Sequence, residues 1–429
     1  MKNIVFAIVC IGQLLLADNQ IPRGAILTSD KSVVAENIDN GVRVYHYGTT
    51  LEPLLGYVNG KMNGRLGLEK YAHATLSESR DVQLTIDLTL QQQIEFILDV
   101  GKVLYGTDEI LAAVMESDTG RIVAMASSNR YDPSHITQND TPSLVPKFST
   151  YPYEPGSVIK PLTLAIAFDN ELVEPTTIFD MHGGRMKIGE NRFITDGEKF
   201  DTLSATEIIV HSSNIGISQV AWMLTGKAFK TGLQKFGLGE PSGIELSWDE
   251  PGIIKPLETL NKKPHRANSA YGYGMLLTFT QLLKAYSAFN NDGIPVTPKL
   301  LASSQNRKES LSVAISKKAA NQIHKILVED VERGMGKNAR YDGLEIGGKT
   351  GTSHIARNGH YVREYHSSFY GFANDEAGNK YTIGVLVIRA KARFAYFASQ
   401  SAVPVFRKIV EMMVDDGYLK PVKFYGAGE

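Results

Sequence analysis

Residues 111–126 read LAAVMESDTGRIVAMA. Two apolar runs, Leu111–Glu116 and Ile122–Ala126, flank Ser117-Asp118-Thr119-Gly120, and two strands around an Asp/Gly turn make a hairpin. Just ahead, Leu90, Ile94, Ile97, Leu98 and Leu104 recur at the spacing of one helical face. Downstream, 157–334 is mostly helical, with apolar residues at helical spacing around 157–170, 204–224, 277–290 and 316–333. Three strand-like runs follow, Leu344–Thr352, Ser367–Ala373 and Tyr381–Ile388, the last two joined by the polar turn NDEAGNK. A helix around Ser401–Val414 closes the domain. Strands at both ends with helices between them break βαβ alternation, so the expected class is α+β, a mainly antiparallel sheet flanked by helices.

The rest of the chain surrounds this unit. Residues 18–80 carry RGAILTSDKSVVAE and GVRVYHYG, short strands and turns without a long helical period. At the N-terminus, Lys2 precedes the mostly apolar Ile4–Ala17, and polar Asp18-Asn19-Gln20 follows. A membrane span wants about 20 apolar residues and a signal-peptide core about 10–14, so 1–17 reads as a signal peptide or short signal-anchor. Cys10 follows Val9 rather than a small residue, which disfavours a lipoprotein. The expected order is 1–17 signal or anchor, 18–82 small β-rich pedestal, 83–420 catalytic domain and 421–429 tail, with the body exported.

Composition removes several function classes. At 429 residues the chain exceeds one average domain, and 43% hydrophobic with 21% charged residues excludes wholesale disorder. Forty-five basic against 46 acidic residues argue against a nucleic-acid binder. A single cysteine, Cys10, excludes an intramolecular disulfide, a Cys-rich zinc module and an iron–sulfur cluster.

Three short clusters carry chemistry. In YEPGSVIKP (153–161), Pro155-Gly156 breaks the chain, Ser157 is placed to cap a new helix, and Lys160 shares its face three residues on. A serine hydroxyl needs a neighbouring base, and a lysine serves when burial or nearby positive charge lowers its pKa. The bland reading of an isolated Ser-x-x-Lys is a cap and a solvated lysine. His211-Ser212-Ser213-Asn214 precedes the helical ISQVAWML; helix capping competes there with a second hydroxyl and an amide for a peptide substrate. In EIGGKTGTSH (345–354), Lys349, Thr350 and Thr352 lie on a strand, with Gly351 where a backbone or ligand must come close. Gly343–Thr350 also spells G-x-x-x-x-G-K-T, a phosphate-loop pattern. Polar residues precede it and glycines follow it, so the strand and helix that pattern needs are missing.

Ser-x-x-Lys, Ser-x-Asn and Lys-Thr-Gly in this chain order are far more specific than any one alone. The chain resembles a class B penicillin-binding protein, a monofunctional peptidoglycan D,D-transpeptidase. The likeness extends through RGAILTSDKSVVAE, GYVNGKMNGRLGLEKYAHATL, VQLTIDLTLQQQIE, ESDTGRIVAMAS, FGLGEPSGIEL and YGYGMLLTFTQLLKAYSAFNNDG. Ser-Ser-Asn and NGHYVREYHSSFYGFA look like the division-type branch. The resemblance implies the penicillin-binding transpeptidase fold, with a five-stranded sheet. It implies Ser157 as nucleophile, Lys160 as base, Ser212 as proton relay, and Asn214 on the peptide amide. Lys349 supplies charge, Thr350 and Thr352 bind the substrate carboxylate, and the N–H groups of Ser157 and Thr352 form the oxyanion hole. Implied partners are stem peptides ending in D-Ala-D-Ala, β-lactams and a membrane glycan polymerase, with no cofactor, metal or nucleic acid. The site would face the extracytoplasmic side of a bacterial membrane.

Departures and rivals complete the reading. A pedestal of about sixty residues is short for the class. A D,D-carboxypeptidase or β-lactamase shares the three motifs but passes the acyl group to water, and a penicillin-sensing module keeps the serine without turnover. His354, His360 and His366 sit six apart in what reads as a loop-rich region, poor material for a metal site. Tyr271-Gly272-Tyr273-Gly274 lacks the third glycine of a nucleotide loop, Phe193 and Phe200 read as packing, and Lys262-Lys263 with His265-Arg266 as a solvated face.

Overall fold

The computed structural model describes residues 22–38, 41–190, 192–304, 312–357, 359–392 and 395–422. The expected signal or anchor at 1–17 and most of the 421–429 tail lie outside them. The pedestal is a four-stranded sheet of β1 (Ile26–Leu27), β2 (Val33–Asn37), β3 (Arg43–Tyr45) and β4 (Val82–Gln83), in the order β3-β2-β1-β4. Its last strand straddles the 82/83 boundary expected between pedestal and catalytic domain. Two one-turn helices, Gly67–Tyr71 and His73–Ser77, pack beside it.

The hairpin read from 111–126 is present as β5 (Glu109–Glu116) and β6 (Ile122–Ser127). Four short strands form two small antiparallel pairs in the helical region. These are β7 (Ile178–Asp180) with β10 (Thr202–Ser204), and β8 (Arg185–Lys187) with β9 (Phe193–Thr195). The C-terminal strands are β11 (Glu345–Arg357), β12 (His360–Asn374) and β13 (Lys380–Ile388). They complete an all-antiparallel sheet, β11-β12-β13-β5-β6. β11 is therefore an edge strand.

Alternation along the strands divides the core between the sheet's two faces. Leu111, Ala113, Met115, Tyr370, Phe372 and Leu386 face one hydrophobic cluster. That cluster includes α2 (Lys160–Asp169), α3 (Ala205–Val210), α4 (Asn214–Met223), α5 (Phe279–Asn290) and α6 (Lys317–Arg333). Ala112, Val114, Phe369, Ile383 and Val385 face the other, built on α1 (Leu88–Tyr105) and α7 (Ala402–Asp415). α1 starts where Asp87 accepts a hydrogen bond from the Leu90 N–H and ends at Gly106 in the left-handed conformation (φ 56°), a standard start and stop.

Two local expectations are corrected. His354, His360 and His366 lie on β11 and β12, which run past the sheet as a long hairpin rather than a loop; no group of three metal-ligating side chains occurs among the described residues. Arg266 is not on a solvated face. It is buried, with Nε donating to the Ala221 carbonyl at 2.9 Å and Nη1 to the Leu260 carbonyl at 2.6 Å.

Candidate active site

Pro155 and Gly156 lead into one 3₁₀ turn, Gly156–Ile159, which continues directly as α2. The expected capping role of Ser157 is absent: Pro155 occupies the cap position and no side chain closes the turn. Residues three apart lie on one face of such a turn, which puts half-buried Ser157 on the same side as Lys160, the first residue of α2. The turn is wedged in place. Its Val158 carbonyl accepts the Tyr286 hydroxyl at 2.7 Å, and the Gly156 N–H donates to the Gly272 carbonyl at 3.2 Å. A Cβ on Gly272 (φ 85°) would lie 2.1 Å from the Gly156 oxygen, so Tyr271–Gly274 is a brace for the serine turn. A Cβ on Gly351 would lie 2.9 Å from the Pro155 oxygen, so the close neighbour expected there is backbone.

Lys160 is buried to 1% exposure. Its Nζ donates to the Ser212 carbonyl and, at 3.1 Å, to Ser212 Oγ. Burial, with the positive charge of Lys349, holds its pKa well below the ordinary lysine range. A neutral amine has two N–H groups and one lone pair. Both donors have acceptors on Ser212, leaving the lone pair available to take a proton.

Ser212 meets Lys160 because its backbone is left-handed (φ 54°) between α3 and α4. Ser213, not Ser212, caps α4, accepting from the Gly216 N–H at 2.9 Å. Asp196 anchors the same corner: it accepts the Ser213 hydroxyl at 2.5 Å and the Asn214 and Ile215 N–H groups at 2.6 and 3.1 Å. A carboxylate on free N–H groups at a helix start is favourable both as cap and against the helix dipole. Asn214 donates its amide to the Thr195 carbonyl at 3.0 Å, which leaves its side-chain oxygen to accept from a substrate N–H.

Lys349 lies on β11 with no exposed surface, its Nζ 3.4 Å from Thr350 Oγ1 and 3.6 Å from Asp330 on α6. Burial lowers its pKa, and the Asp330 carboxylate works against that shift. Thr350 is nearly buried, Thr352 half-buried with its hydroxyl accepting the Ala398 N–H at 3.3 Å. The serine turn packs on this strand: a Cβ on Gly156 would lie 3.1 Å from the Thr352 oxygen. The three clusters, scattered over almost two hundred residues, thus converge. Asp196 and Asp330 are the site residues that sequence reasoning missed, and no motif surrounds either one. Gly343–Thr350 runs into a buried strand with no helix behind it, so the phosphate-loop pattern is a coincidence of letters.

Residues 110–411, more than half the chain, match the penicillin binding protein transpeptidase domain. The chain belongs to this family. It is 30% identical over 343 residues to the probable peptidoglycan D,D-transpeptidase PbpC of Pseudomonas aeruginosa, covering 78% of this chain and 59% of that relative. With stage V sporulation protein D of Bacillus subtilis it shares 28% identity over 410 residues, 82% of this chain and 62% of the relative. The chain therefore spans about three-fifths of the length of these relatives. Penicillin binding protein 3 of Mycobacterium tuberculosis, solved in complex with ampicillin, has the same fold. Its TM-score is 0.83 at 23% identity, over 95% of this chain and 97% of that one.

Proposed function

We propose that the protein is a serine D,D-transpeptidase of peptidoglycan synthesis, acylated covalently by β-lactams. One observation carries the reading: a fully buried lysine, depressed in basicity, sits one turn after a serine and spends its donors on a second serine. The sequence of steps follows. Lys160 Nζ takes the Ser157 hydroxyl proton as Ser157 Oγ bonds to the carbonyl carbon between the two terminal D-alanines. The N–H groups of Ser157 and Thr352 face the developing oxyanion. Ser212 hands its hydroxyl proton to the departing D-alanine nitrogen as the C–N bond breaks and takes one back from the protonated Lys160 Nζ, 3.1 Å away, so the acyl-enzyme forms with the lysine amine free again. An amine of a second stem peptide then attacks the ester, forming the new amide and returning the proton to Ser157.

The substrate lies along β11, whose free edge offers unpaired backbone groups to an extended peptide. Thr350 and Thr352 hold the terminal carboxylate, Gly351 keeps β11 close to the serine turn, and buried Lys349 acts on that carboxylate through Thr350. Asn214 accepts from the donor peptide's N–H. Support from relatives comes from the name of the Pseudomonas aeruginosa protein and from the ampicillin complex of the Mycobacterium tuberculosis one. The N-terminal segment 1–17 carries the domain to the extracytoplasmic side, where the division-type likeness pairs it with a membrane glycan polymerase. Among the described residues no helix is long and apolar enough to cross a membrane.

A transpeptidase must keep water from its acyl-enzyme until the acceptor arrives. Fluorescent penicillin is therefore expected to label the protein stoichiometrically on Ser157, with an adduct that persists for many minutes and is absent from Ser157→Ala. Sustained nitrocefin turnover without a lasting adduct would make it a hydrolase instead.

A further inference from the structure

The mechanism above leaves the buried acid beside Lys349 without a task. Asp330 projects from the last turns of α6, and both it and Lys349 have no exposed side-chain surface. Their separation of 3.6 Å is an ion-pair distance; burial raises the Asp330 pKa to about 6, and Lys349, with the Met335 and Gly336 N–H groups, works against that rise. The chain has made a slot for this carboxylate. A Cβ on Gly334 would lie 2.7 Å from one of its oxygens, and a Cβ on Gly336 would lie 3.0 Å from the other. A fully buried carboxylate is expensive unless it answers a charge.

The surrounding elements supply few charges to answer. β11 presents Lys349, in ion-pair contact with Asp330, and α2 presents Lys160, which the more distant Asp330 charge draws toward its protonated form. α5 presents Tyr286, whose hydroxyl is already given to the Val158 carbonyl. Neighbouring Arg333 turns outward to Glu207 of α3, and Lys337, past the end of α6, is exposed. Half-buried Asp196 also acts on Lys160, but its oxygens are taken by Ser213, Asn214 and Ile215. The fully buried set is two lysines and one carboxylate, and it is neutral with one ammonium and one free amine. Lys349 lies 3.6 Å from the carboxylate, whereas Lys160 has its donors on Ser212.

We propose that Asp330 is a positioning residue of the acylation, holding Lys349 as an ammonium inside the core so that Lys160 is the lysine left free to accept a proton. This rests on the transpeptidase reading for the roles of the two lysines. Without the counter-charge, burial would push Lys349 further toward the free amine, and the site would lose its positive charge toward the substrate carboxylate. A merely structural Asp330 would lower stability without altering how acylation responds to pH.

The test is the second-order rate of acylation by benzylpenicillin, which carries the carboxylate, measured from pH 6 to pH 9. The ratio of Asp330→Asn to the unaltered protein should fall at least about tenfold across that range, one pKa unit of movement in the basic limb, and Asp330→Glu should recover most of it. A ratio that stays flat with pH overturns the proposal. A stability cycle supplies a second readout that does not need activity. If the pair is ionic, Lys349→Met should restore part of the stability that Asp330→Asn removes, and additive losses would count against the pair. Failure of benzylpenicillin to acylate the unaltered protein at any pH would sink the transpeptidase reading, while the cycle would still decide the pair.

Discussion

The proposed chemistry turns on Lys160. Burial and the charge of Lys349 hold its pKa well below the ordinary lysine range, which favours the free amine. Replacing it with methionine keeps the apolar stem and removes the proposed base. Lys160→Met is therefore expected to slow acylation by roughly 10²–10⁴-fold, the usual worth of general-base catalysis. Stopped-flow acylation against folded variant checks this, and near-normal rates would remove Lys160 from the mechanism. The pH dependence has a definite sign. Protonation of Lys160 abolishes the base, so the rate falls as pH drops through its depressed pKa. Lys349→Ala removes a charge that depresses it, so the acid limb should shift to higher pH in that variant. Unchanged limbs would mean that the two lysines do not communicate.

Elements bring these residues together, and β11 packs closely on the serine turn. Gly351→Ala places a methyl 2.9 Å from the Pro155 oxygen and 2.7 Å from Ser368 Oγ. Overpacking of this kind costs about 1–3 kcal/mol. The displaced turn should lose acylation at least tenfold, as expected when reacting groups move by about an ångström; urea unfolding and penicillin labelling measure the two effects. Asp196→Ala should cost about 1–2 kcal/mol through the lost cap of α4. The same elements show what was legible beforehand. The α1 face and the β5–β6 hairpin repeat their apolar residues at clear periods, and both were readable. Beyond His354 the strands β11 and β12 carry polar residues on an exposed hairpin, so no apolar alternation marked them as strands. Ser157, Lys160 and Lys349 were legible because each sits in a motif. Asp196 and Asp330 are single acids, one in a loop and one on a helix, and only the folded chain brings them to the site.

At the scale of the whole molecule, the pedestal is tied together by one buried carboxylate. Glu69 binds Arg23 Nε and Arg43 Nε, each at 2.7 Å, and all three side chains are at most 2% exposed. Arg43 also donates to the Gly24 carbonyl at 2.8 Å. Removing the shared acid leaves two guanidinium groups buried without a counter-charge. Glu69→Ala is expected to destabilise the protein by about 3–5 kcal/mol, visible in thermal unfolding, whereas a loss below 1 kcal/mol would mean that water replaces the carboxylate freely. The central claim concerns what the assembled molecule does with an acyl group. The direct measurement incubates the full chain with a stem peptide ending in D-Ala-D-Ala and an excess of a free D-amino acid, and counts products by mass spectrometry. The account predicts that the exchanged peptide, with the D-amino acid in place of the terminal D-alanine, exceeds the hydrolysed one and that Ser157→Ala forms neither. Hydrolysed peptide alone, or exchange that survives Ser157→Ala, would contradict it.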